Sequence, residues 1–171
     1  MAAECGPKGS TFRFAGTINE EEIRLLKLGF SKQIDRTADL SPIFTRLDRE
    51  YEGEVKKQFQ SEGSHSGFPW PRLSMSTRKE RARLGYGASG PILVRTGDLK
   101  KSLTQRGDIN AIRTITPRMW VYGTKVGYGI FHQSRAPRMR LPFRPFLVVT
   151  RNFRLFVVRR FHEFIIKGRV L

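Results

Sequence analysis

Ser41-Pro42-Ile43-Phe44-Thr45-Arg46-Leu47-Asp48-Arg49-Glu50-Tyr51-Glu52-Gly53-Glu54-Val55-Lys56-Lys57-Gln58-Phe59-Gln60 sets Ile43, Leu47, Tyr51, Val55 and Phe59 four positions apart. Side chains spaced in this way lie one above another on a helix and form an apolar stripe. Ser41 suits the N-cap, and Pro42 the first helical position, where a missing N–H costs nothing. Lys56 and Lys57 favour the negative end of the helix dipole, and Gly63 ends the run. Such a stripe belongs against the chain's own core rather than in a partner's groove. The helix is therefore expected to turn this stripe to the core.

Working outward, Asn19 followed by Glu20, Glu21 and Glu22 marks another helix start, running to about Arg36 with Ile23, Leu26, Leu28 and Phe30 among its apolar residues. Residues 1–10 read as a loose arm, and Thr11–Ile18 alternates weakly enough to form a strand. Beyond the Ser41 helix, Pro69-Trp70-Pro71 forbids regular structure, and Thr77–Leu84 is a short basic helical segment. Thr96 or Asp98 would cap a helix that turns Leu99 and Leu103 inward. Ala111–Thr116 and Met119–Thr124, split by Pro117-Arg118, read as a hairpin with Trp120 and Tyr122 on one face and Val121 on the other. Tyr128–Gln133 is a helical turn. A last helix spans roughly Val149–Lys167, where Val149, Phe153, Phe156, Val157, Phe161, Phe164 and Ile165 have helical spacing and Leu155 and Val158 widen the apolar surface. A terminal helix so greasy needs cover on more than one side, which points to a subunit interface at Phe153, Phe156, Phe161 and Phe164. Ordinary core packing is the alternative. The expectation is a single α+β domain over residues 1–171: an antiparallel sheet of about three to five strands, packed by N-terminal helices and a long C-terminal helix.

Charge divides this domain unevenly. The chain of 171 residues carries a net charge of +17, but residues 1–62 hold 10 Lys/Arg against 11 Asp/Glu, while residues 63–171 hold 22 against 4. Self-repulsion on that scale favours polyanionic or acidic partners. Two basic clusters stand out: Arg78, Lys79, Arg81 and Arg83 in one segment, and Arg135, Arg138 and Arg140 in a Pro-bounded loop. Either cluster would face DNA or an acidic protein neighbour. No stretch has the ~20 apolar residues of a membrane span, so no membrane partner is expected. Residues 1–7 have neither the basic nor the apolar region of a secretory signal, and Cys5 is the sole cysteine. Synthesis in a reducing cytoplasm follows as the expectation.

Catalytic signatures fail on inspection. Gly85-Tyr86-Gly87-Ala88-Ser89-Gly90 spells G-x-G-x-x-G, but a basic polar segment precedes it and Pro91 follows, so neither strand nor helix N-terminus stands ready for a pyrophosphate. Ser76-Thr77-Arg78-Lys79 spells S-x-x-K without its partner motifs. His162-Glu163 begins H-E-x-x-H, but Ile166 stands where the second histidine must be. His65, His132 and His162 are far apart, and neither Asp98 nor Asp108 has an acid/base partner. No catalytic, cofactor or metal site is expected, and the chain does not read as an enzyme.

Four short signatures remain, in a fixed order. They are Gly67-Phe68-Pro69-Trp70-Pro71-Arg72-Leu73; Ile92-Leu93-Val94-Arg95-Thr96-Gly97-Asp98-Leu99-Lys100-Lys101-Ser102; Tyr128-Gly129-Ile130-Phe131-His132-Gln133; and Leu141-Pro142-Phe143-Arg144-Pro145-Phe146-Leu147. The order G-x-x-W-x-x-L, I-L-x-x-T-G-x-L-x-x-S, Y-x-x-x-H-Q, P-x-R-P-F-L resembles the virion morphogenesis, or tail completion, family of Mu-like and related tailed bacteriophages. One departure is the lack of a glycine after Leu147. The resemblance implies a structural virion protein acting at the neck, where the tail is finished and joined to the head, assembled in the host cytoplasm beside other neck and tail proteins. It further implies a homo-oligomeric ring, a hexamer first and a dodecamer second, with genomic DNA passing through the lumen. The alternative is a free-standing basic nucleic-acid-binding protein.

The residues of these motifs have structural roles in prospect. Trp70 and Leu73 would anchor an irregular loop, and Gly97 would permit a tight start before Leu99. His132 and Gln133, in the motif that Tyr128 opens, would tie the basic loop to the backbone. Arg144, beside Pro145 and Phe146, would aim its guanidinium at a carboxylate within or across subunits.

Overall fold

α2 (Ser41–Gln60) is the spine, and its stripe is buried from end to end: Ile43, Leu47 and Val55 are each 2% exposed, and Tyr51 and Phe59 are nearly as closed. The computed structural model describes residues 20–134 and 141–169. The expected arm, the Thr11–Ile18 strand, the Asn19 cap and the loop arginines Arg135, Arg138 and Arg140 lie outside these. Ser41 is the first helical residue rather than the cap. Asp39 Oδ1 accepts the Ser41 N–H at 2.8 Å, so an acidic side chain two residues upstream satisfies the orphan donor instead.

Around α2 stand α1 (Glu20–Ala38), α3 (Met75–Arg83), α4 (Asp98–Thr104), β1 (Ala111–Thr116), β2 (Met119–Thr124), α5 (Gly129–Gln133) and α6 (Arg151–His162), which continues as a π-helical turn, Glu163–Lys167. The architecture is α+β. The sheet is smaller than expected: among the described residues it is the β1–β2 hairpin alone, paired from Ala111↔Thr124 to Thr116↔Met119. Prolines explain part of this. Residues 141–149 join no strand; Pro142 and Pro145 cannot donate to a ladder, and side chains serve that segment's backbone instead.

α2, the hairpin, α4 and α6 enclose the core. One cluster joins Tyr51, Val55, Phe59, Trp70, Ile92, Leu99, Leu103, Phe146 and Phe153, and a second joins Ile43, Phe44, Leu47 and Phe164. Phe153 and Phe164 thus belong to the chain's own core, whereas Phe156 and Phe161 are half-buried. Phe156 stacks on Phe153 with ring centroids 6.2 Å apart, and Phe161 meets Phe44 edge-on at 6.1 Å. Leu155 and Val158 on the outer face of α6 stay well exposed, as do Leu25, Leu26, Leu28, Phe30 and Ile34 along α1. α1 packs on the π-helical turn, where the Arg36 guanidinium donates to the Ile165 and Ile166 carbonyls at 2.9 and 3.1 Å. No described helix is long and apolar enough to cross a membrane.

A buried carboxylate fastens the hairpin to the spine. Asp48 on α2, 6% exposed, takes both oxygens' worth of contact from Arg113 Nη1 at 3.0 Å, plus the Trp120 indole N–H at 3.1 Å and Arg106 Nη2 at 3.3 Å. Arg113 Nη2 donates to the Leu103 carbonyl at 2.7 Å, and its guanidinium lies 3.7 Å over the Tyr122 ring. One acid therefore links α2, α4's end and both strands. Removing one partner of such a set leaves the others uncompensated, so Asp48→Ala should cost about 3–5 kcal/mol of stability. Urea unfolding checks this, and a loss below about 1 kcal/mol would show that the tie is dispensable.

Candidate functional site

Residues from all four motifs meet in one packed unit, and the Pro145 carbonyl is its centre. That oxygen accepts the Trp70 indole N–H at 2.9 Å and the Gln58 side-chain N–H at 2.9 Å. Trp70 is 5% exposed and packs edge-on against Phe59 with centroids 5.4 Å apart. The turn before it requires Gly63, whose φ is +93° and whose added Cβ would fall 2.2 Å from the Phe68 carbonyl oxygen. Leu73 rests half-buried on the same core.

Arg144 completes the clasp in an unexpected way. Among the described residues its guanidinium pairs with no carboxylate; Nε and Nη2 donate to the Pro71 carbonyl at 3.0 and 2.8 Å, and Nη2 also to that of Arg72 at 3.2 Å. Pro69-Trp70-Pro71 cannot enter a ladder, so its carbonyls need donors from elsewhere, and the guanidinium fork supplies them. Burial lowers the pKa of Arg144, with the Glu62 charge working the other way.

The other two motifs lock onto the same segment. Gln133 Oε1 accepts the Phe146 and Leu147 N–H groups at 3.0 and 3.2 Å, while its Nε2 donates to the Leu147 carbonyl at 2.7 Å. Arg144 N–H donates to the His132 carbonyl at 2.9 Å. α4 drives Leu99 and Leu103 into full burial. Its start differs from expectation: neither Thr96 nor Asp98 caps it. Gly97 holds the cap position with φ +88°, and Thr96 hydroxyl donates to Asp98 Oδ2 at 2.7 Å. The backbone of Gly129 closes the unit, since a Cβ there would lie 3.3 Å from Leu99 and 3.2 Å from Phe146.

Beside the clasp lies a cleft of about 460 Å³. Arg72, Arg81, Arg95, Arg144 and His132 contribute to its wall, with Tyr128, Leu73, Leu93 and Leu141 as apolar surface. Arg81 departs from the cluster assigned to it: Arg78, Lys79 and Arg83 are exposed, but Arg81 is 4% exposed. Its Nη1 donates to the Pro91 carbonyl at 3.2 Å, and Gly90 leaves room for the guanidinium, since a Cβ there would fall 2.6 Å from Nη2. So the glycine-rich run over Gly85–Gly90 accommodates an arginine. Among the described residues, no three His, Cys, Asp or Glu side chains come together as a metal site.

No family model matches the chain, and neither a curated protein nor a solved structure is detectably similar to it.

His132 offers a direct probe of this region. Burial, and then the Arg144 charge, hold its imidazole below the ordinary value, against a backbone hydrogen bond with Pro142 that acts the other way. A depressed folded pKa means that the unfolded chain takes the proton first as pH falls. The His132 contribution is therefore complete above about pH 6.5 and is lost progressively below it. His132→Asn should flatten stability between about pH 6.5 and 5 relative to the parent, measured by urea unfolding across that range. An unchanged acid-side decline in the variant would refute the assignment.

Proposed function

We propose that this chain is a structural component of a tailed-phage virion that completes the tail and helps join it to the head, working as a homo-oligomeric ring without catalysis. The observation that carries the reading is the use made of the motif residues. Trp70, Gln133, Arg144 and the Pro145 carbonyl spend their polar groups on one another and on backbone, as framework residues do. Their order along the chain is the order that resembles the tail completion family.

Bare apolar surface supports the assembly part of the reading. Leu25, Leu26, Leu28, Phe30 and Ile34 on α1 are each at least half exposed, and Leu155 and Val158 on α6 are 57% and 63% exposed. Exposed apolar side chains in such number favour association with another protein surface. A free-standing nucleic-acid-binding protein is the competing reading. It is weakened by the withdrawal of Arg81 from the α3 surface, which leaves Arg78, Lys79 and Arg83 to meet phosphates.

The test is made on particles. Purified virions from a host producing this chain should contain it by mass spectrometry. Interrupting its gene should leave heads and tails that accumulate unjoined in electron micrographs. Fully infectious particles assembled without the chain would end the proposal.

A further inference from the structure

We propose that the cleft between the start of α3 and residues 141–144 is a docking site for an acidic peptide segment of a partner protein, bound through its carboxylates. The inference stands on the cleft's own chemistry and does not require the ring reading.

Four guanidinium groups, those of Arg72, Arg81, Arg95 and Arg144, belong to residues of one wall, and among the described residues no acidic one lines it. None of the four forms an ion pair with a carboxylate of the described residues. Glu62, whose charge reaches Arg144, lies outside the wall, and its Oε1 accepts the Ile92 N–H at 2.9 Å. Arg81 is the sharpest observation. It is buried to 4% exposure, and among the described residues its Nε has no hydrogen-bond partner. A buried cation with spare donors and no counter-charge is costly, and a bound anion relieves the cost. The helix adds to this, because Ser74 caps α3 and lines the cleft with Thr77, so the positive end of the helix faces the same space. In the same wall, burial and then the Arg144 charge lower the pKa of His132.

The shape selects among anions. A volume of about 460 Å³ holds a few side chains of an extended segment, whereas a DNA duplex presents its phosphates on a broad outer surface and does not enter it. Leu73, Leu93 and Leu141 give the wall apolar ground between the cations, which suits carboxylates alternating with apolar side chains. Guanidinium forks match carboxylates in two-point contacts.

The probe is a short fluorescent peptide of alternating Glu and Leu, titrated against the full chain by anisotropy, with a Gln–Leu peptide as control. The Glu–Leu peptide should bind and weaken as salt rises, and the control should not bind. Arg72→Glu with Arg95→Glu alters two exposed side chains, so the variant should melt like the parent yet bind about tenfold or more weakly. Should that variant fail to fold, Arg81→Met, which keeps the buried stem, should show the same loss. Absence of peptide binding by the parent, or equal binding by the folded variants, would overturn the proposal. So would displacement of the peptide by an equal concentration of inorganic phosphate, which would assign the cleft to a free phosphate. Saturable duplex binding abolished by the same variants would overturn it in favour of nucleic acid.

Discussion

A single carbonyl oxygen, that of Pro145, sets how the long loops of this protein can be arranged. Residues 141–147 contain two prolines and so cannot join the hairpin as a regular strand. Their backbone polar groups still need partners once buried. Trp70 and Gln58 both donate to the Pro145 oxygen, Gln133 serves Phe146 and Leu147, and Arg144 in turn serves the carbonyls of Pro71 and Arg72. Two proline-interrupted segments, 75 positions apart at the Trp70–Pro145 contact, thereby satisfy each other. Each would be an unsatisfied coil alone. Together they make a plate against Phe59 and Phe146, and the cationic cleft opens along its edge.

The second tie is electrostatic and lies at the other end of the spine. Asp48 gathers Arg113, Arg106 and Trp120, and Glu52 accepts from Lys56 at 2.6 Å and Arg106 at 3.1 Å. Burial opposes ionisation of Glu52, but those hydrogen bonds outweigh it and leave its carboxyl below the ordinary range. Burial pushes the Tyr51 phenol up to about 12 and raises that of Tyr122, so both rings serve the core as neutral groups. Here the acids of the first half of the chain neutralise cations of the second. The remaining excess positive charge stays on the outside and in the cleft.

How far the sequence disclosed this follows from the kind of force at each place. Apolar periodicity made the α2 stripe, the hairpin with its Trp120 and Tyr122 face, and the inward Leu99 and Leu103 legible, because hydrophobic burial leaves a repeating mark. Polar ties leave none of comparable strength. Asp48 and Gln58 fall on the 4-3-4-3 track Phe44, Asp48, Tyr51, Val55, Gln58, which is as buried as the stripe of fours beside it. A helix of 3.6 residues per turn shows both tracks to the core, so a buried acid and amide on the second one were readable in principle. Arg144 was legible as a fixed residue but not in its partner, since a guanidinium donates to carbonyl and carboxylate oxygens alike. Thr96 lost the cap to Gly97 because backbone geometry outranked side-chain propensity there. The inward turn of Arg81 depends on the space at Gly90, a contact between residues nine positions apart that composition does not reveal.

What is left over after folding is a set of exposed apolar side chains on α1 and on the outer side of α6. The proposal is that copies of the same chain cover them, and the most direct measurement is native mass spectrometry of the full chain at micromolar concentration. A discrete closed species, hexameric or dodecameric, that falls to monomer when Leu26 and Phe30 are both replaced by Asp is the predicted result. A monomer at every concentration, with α1 helical and its apolar side chains in water, would contradict it.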